Sequence, residues 1–106
     1  MIVAFSVAPS TSDADGSVHD AVAAAVRVVR DSGLPNRTSS MFTEIEGEWD
    51  EVMDVVKRAT EAVGRYSGRV SLVLKADIRP GHTGELDGKI GRLEKALETA
   101  AENNVE

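Results

Sequence analysis

NRTSSMFTEIEG, residues 36–47, is the stretch whose reading decides the fold. Thr, Met, Phe and Ile favour extended backbone, and the polar residues interleave with them instead of clustering. We read two short strands, about 36–40 and 42–47, joined at or near Ser40–Met41. No Asn-Gly or Asp-Gly pair marks a corner, so a single bent strand is the other option.

On the N-terminal side, Val18, Val22, Ala25, Val26 and Val29 recur at helical spacing and predict a core-facing stripe. Ser17 stands as its N-cap, and Gly33 is placed to stop it in a left-handed conformation. Ahead of it, Ile2–Ala8 is rich in β-branched and aromatic residues and alternates as a strand. Pro9–Gly16 (PSTSDADG) is a polar loop; its acids suggest calcium, but no Glu follows at the required offset.

On the C-terminal side, Gly47–Val63 predicts a second helix whose apolar face carries Trp49, Val52, Met53, Val56, Ala59 and Val63. Glu48, Asp50 and Glu51 crowd its first turn, where the helix dipole favours negative charge. Arg69–Ile78 (RVSLVLKADI) alternates as a strand, with Val70, Leu72, Leu74 and Ala76 on one face. A last helix begins near Thr83, which can cap it, and carries Leu86, Ile90, Leu93 and Leu97. Residues 98–106 are polar and are expected to fray.

The order is β-α-β-β-α-β plus one helix. That predicts an α+β, ferredoxin-like sandwich with a four-stranded antiparallel sheet and an additional C-terminal helix, in one domain spanning 1–106. Two helices cover one sheet face. The other must meet the third helix, a second subunit or water, and its apolar residues argue for self-association as a dimer or tetramer.

Composition removes several functions. The 106 residues hold 12 Lys and Arg against 18 Asp and Glu, a net charge of −6, with no cysteine. Thiolate nucleophiles, disulfides and Cys-based zinc sites are excluded. An acidic chain without a basic patch is a poor partner for nucleic acid. Stacking aromatics for RNA are limited to Phe5 and Phe42. No apolar run approaches the roughly 20 residues of a membrane helix, and no signal peptide is legible, so a cytoplasmic protein without membrane contact is expected. His19 and His82 lack metal-ligand spacing, and no Gly-x-Ser-x-Gly elbow exists. Gly81, Gly84, Gly88 and Gly91 form no phosphate-binding fingerprint, although the helix start at Thr83 could attract a phosphate. No cofactor is implied, and an enzyme using Glu46 as general base lacks a second catalytic group.

Chemistry concentrates in Ser39–Gly47. Alternation puts Thr43 and Ile45 on one face, Glu44 and Glu46 on the other. A carboxylate on a partly apolar face is costly unless paired. One outcome is a structural ion pair with Lys75, Arg79 or Arg37; the other is a polar anchor in a ligand cleft. The residues alone leave both open.

MFTEIEGEWDEVM, together with the first strand ending at Pro9 and the later LKADIRP, resembles the small thiamine-binding protein family of YkoF-like proteins. Met41, Thr43, Glu46, Gly47, Lys75, Asp77 and Arg79 match its pattern, and the likeness covers residues 1 to about 97. The chain departs from it at Ser40 and Phe42, where the family carries Pro and Gly, and at Ser10 and Thr11, where a Gly is usual. The resemblance implies a ferredoxin-like, oligomeric, non-enzymatic subunit binding thiamine or its hydroxymethylpyrimidine part. The ligand residues expected on that basis are Thr43, Glu46, Ser40 and Ser6. Lys75, Asp77 and Arg79 are expected to hold the sheet end or a subunit contact by ion pairs. A protein-interaction module without a small ligand is the alternative.

Overall fold

The computed structural model describes residues 1–10 and 18–103. The elements are β1 (Ile2–Pro9), α1 (Val18–Asp31), β2 (Asn36–Thr38), β3 (Thr43–Glu46), α2 (Trp49–Gly64), β4 (Val70–Asp77) and α3 (Glu85–Asn103). The sheet order is β2-β3-β1-β4, antiparallel throughout, which is the ferredoxin-like α+β arrangement. The acidic-loop reading and the Ser17 cap fall on residues 11–17, outside the described residues.

Period-two alternation sorts the sheet. Val3, Phe5 and Val7 of β1 and Ile45 of β3 turn to the α1/α2 layer and are buried. They meet Ala21, Ala25 and Val29 of α1 and Val52, Val55, Val56, Ala59 and Val63 of α2. Each Val or Ile so buried is worth about 1.5–3 kcal/mol against exposure, so this layer accounts for most of the stabilisation of the fold. Ala25 and Val29 of the expected α1 stripe are buried, whereas in its first turns Ala21 is buried and Val18 and Val22 are exposed. Trp49 is also not core. It stands at the first position of α2 and is 55% exposed.

The two-residue corner lies at Ser40–Met41. Ser39 N–H donates to the Phe42 carbonyl at 2.9 Å, and the Ser39 hydroxyl donates to the same oxygen at 2.8 Å. Phe42 N–H returns to that hydroxyl at 3.3 Å. Two-residue hairpins prefer turns with positive φ, yet none of the described non-glycine residues adopts one. The Ser39 hydroxyl instead closes a corner that uses no left-handed residue, by hydrogen bonds at both ends of Phe42.

At the other end of β3, Gly47 sits in a tight space. A Cβ there would lie 3.1 Å from Val52 Cγ2 and 3.4 Å from Leu34 Cδ1. The chain then enters α2, where Glu48 N–H donates to Glu51 Oε1 at 3.2 Å. Gly33, at φ +78°, reverses the chain after α1 as expected.

The first turns of α3 cross the sheet face opposite α1 and α2. Leu86 is buried there, and Arg37–Asp87 and Lys89–Asp77 ion pairs flank it. Beyond them α3 runs on as helix through Asn103, including residues 98–103, with Ile90, Leu93 and Leu97 about half exposed.

Candidate functional site

The two ends of β3 carry different chemistry. At its C-terminal end Glu46 is 5% exposed. Its carboxylate accepts Glu85 N–H at 2.8 Å on Oε2 and Leu86 N–H at 3.2 Å on Oε1. These are the first two amides of α3, which no intrahelical carbonyl can satisfy. A negative group there also complements the helix dipole. Glu46 therefore meets neither Lys75, Arg79 nor Arg37; Arg37 turns to Asp87 instead. The cap expected of Thr83 comes from Glu46, and the helix start that could attract a phosphate holds the chain's own anion. Sequence spacing could not show this, because the partner is backbone 39 and 40 residues away.

At the N-terminal end of β3, about 10 Å from Glu46 at the usual strand rise, a cleft opens under the hairpin. Its volume is about 170 Å³, between β1, α1 and the 38–43 turn. Three of the four expected ligand residues line it: Ser6, Ser40 and Thr43. Phe5, Phe42 and Val26 supply apolar wall, and among the described residues no charged side chain lines it. Phe42 is half-buried and borders the cleft without filling it. Thr43 is 9% exposed. Among the described residues the hydroxyls of Ser6, Ser40 and Thr43 make no hydrogen bond, yet none is an orphaned buried atom. Strand alternation turns the Ser6 side chain to the opposite face of the sheet, so Ser40 and Thr43 are the hydroxyls placed to bond a guest, and Ser6 borders the cleft between Phe5 and Val7.

A larger hollow of about 450 Å³ separates the far sheet face from α3. Ile2, Ala4, Leu86, Ile90 and Leu93 make its apolar walls, with Glu44, Lys75, Asp77 and Lys89 around them. Lys89 bonds Asp77 at 2.8 Å, and that hydrogen bond holds the Asp77 carboxyl below its ordinary pKa. Arg92 does the same for Glu85, and the same hydrogen bond, with Glu85's charge, raises Arg92 in turn. Both pairs tie α3 to the sheet end or brace its first turns. The described residues include no group of three or more His, Cys, Asp or Glu able to hold a metal ion. None of the described helices is long and apolar enough to cross a membrane.

Comparison with known proteins agrees with this architecture. Residues 3–94 match the model of the family described as thiamine-binding protein. A UPF0045 protein of Mycobacterium bovis is 51% identical over 98 residues, covering 92% of this chain and 94% of the relative. The structure of a domain of unknown function (DUF77) from Bacillus cereus superposes with a TM-score of 0.70 at 34% identity, over 79% of this chain and 82% of that one. A Thermotoga maritima protein, provisionally assigned to thiamine biosynthesis or salvage, superposes with a TM-score of 0.69 at 28% identity, over 81% and 91%. On the fold and the extent of these matches, the chain belongs to the thiamine-binding protein family.

Proposed function

We propose that this chain is a non-enzymatic binding protein for thiamine, held by its hydroxymethylpyrimidine half in the cleft under the β2–β3 hairpin. The observation that carries the reading is the cleft's size and lining. A cavity of about 150 Å³ takes a benzene-sized ring, whereas whole drug-sized ligands occupy about 300–1,000 Å³. A hollow of about 170 Å³ suits one aromatic ring and leaves a second ring at the mouth, beside the exposed Ser40 and Met41. Thr43 and Ser40 offer hydroxyls that both donate and accept, matching a ring with nitrogen acceptors and an amino donor, and Ser6 contributes at the strand that floors the cleft. The cationic thiazolium then stays near solvent on a chain of net charge −6, where its charge is favourably placed. Glu46 acts at one remove, by fixing α3.

Self-association is part of the proposal. Ile90, Leu93, Leu97 and Ala100 follow a 3-4-3 spacing along α3, the seam of a helix that packs against another helix. Exposed apolar seams of that kind mark protein contacts. A second copy of the chain would cover it.

Titration calorimetry with thiamine, hydroxymethylpyrimidine and a thiazole alcohol tests the ligand. Heat with the first two and none with the third supports the proposal. No heat with any at millimolar concentration overturns it and favours a module for protein contact alone. Thr43→Val should weaken binding roughly tenfold through one lost hydrogen bond, with the fold intact.

A further inference from the structure

The hairpin cleft has a backbone wall as well as side chains. The β1–β3 ladder stops at Phe5↔Thr43, while the β1–β4 ladder runs on to Pro9↔Val70. Gly47 N–H donates to the Met1 carbonyl at 3.1 Å, and Ser10 N–H donates to the Arg69 carbonyl at 2.9 Å. In an antiparallel sheet the two edges of a strand serve alternate residues. Odd-numbered residues of β1 therefore present their N–H and C=O to the β3 side, and even-numbered ones to β4. Val7 is the next odd residue past the end of the β3 ladder. Its ladder partner would be Met41, but the turn carries that residue away, and no hydrogen bond joins the two. Val7 lines the cleft.

We infer that the Val7 backbone, one N–H and one C=O side by side, is the recognition element for an amino-substituted nitrogen heterocycle, the ring nitrogen accepting from the N–H and the amino group donating to the C=O. This rests on the functional reading above and makes it specific. Side-chain hydroxyls can rotate to suit a donor or an acceptor, so by themselves they discriminate poorly. A strand edge cannot rotate. Its β4-side hydrogen bonds fix it, and it presents one donor and one acceptor in a set order. Burial sharpens the preference, because a ring that fails to pair both groups leaves them unsatisfied in the cleft. Phe42 and Phe5 then bound the space in which the ring lies.

Amide hydrogen exchange on the uniformly labelled protein reads this directly. In the free protein Val7 N–H is expected to exchange faster than Phe5 N–H, which is bonded within the ladder. Saturation with thiamine or hydroxymethylpyrimidine should slow Val7 exchange at least tenfold and leave Phe5 unchanged. A pyrimidine with hydrogen in place of the amino group should bind about tenfold more weakly. Val7→Pro removes the N–H on the edge that β4 does not use, where proline is tolerated, and should weaken binding about tenfold with a native circular dichroism spectrum. Calorimetric binding with unchanged Val7 exchange overturns this inference alone. Absence of binding overturns the functional reading and this inference with it. Should the proline variant not fold, the exchange measurement decides by itself.

Discussion

Glu46 illustrates how a residue can be legible by type and not by partner. Alternation put it with Glu44 on the face away from α1 and α2, and the cost of an unpaired carboxylate demanded a partner. The candidates among side chains were cations; the partner found is the N-terminus of α3. Glu46→Ala should therefore destabilise the fold by about 1–3 kcal/mol, since two helix-end amides lose their acceptor. Chemical denaturation measures it. Glu46→Gln, which keeps an accepting oxygen but loses the charge, should fall between parent and alanine, with thiamine affinity changed less than twofold. Gly47 beside it answers to space. Gly47→Ala should cost about 1–3 kcal/mol by overpacking against Val52 and Leu34, seen as a lower denaturation midpoint with an unchanged slope.

Among the elements, the hairpin and α3 divide the functional work. Strand and helix identities were legible because their apolar periods are clean, and the corner at Ser40–Met41 followed from where the polar residues fall. Edges were less so. Trp49 and Val18 have the right spacing for core, yet each is the first residue of its helix and is exposed. The attachment of α3 was not legible, since it uses one carboxylate and ion pairs between distant segments. That attachment predicts a pH dependence. Asp77 and Glu85 have lowered pKa values through hydrogen bonds to Lys89 and Arg92. A depressed carboxylate contributes stability that is fully present above its unfolded value, near 4, and is lost as pH falls through the folded value. Amide protection across residues 85–95 should hold from pH 7 to 5 and decline below about 4. Lys89→Met should shrink that decline, because Asp77 would then titrate nearer its ordinary value.

The whole molecule is extended for its length. Its radius of gyration is 17.0 Å and its extents are 59 × 31 × 19 Å, whereas a compact chain of this size is expected near 13 Å. A 19-residue helix, about 28 Å long and held mainly by its first turns, accounts for much of the difference. An isolated subunit would leave Ile90, Leu93 and Leu97 in water. Leu93→Glu with Leu97→Glu should therefore give a monomer by light scattering where the parent elutes as an oligomer. A monomeric parent would contradict self-association. The ligand site stands or falls separately, and a titration of labelled protein with thiamine followed by amide chemical shifts tests it most directly. Shifts concentrated at residues 5–8 and 38–43 are the predicted result. Shifts centred instead on Ile2, Asp77 and Ile90, or none at saturating thiamine, would contradict the site.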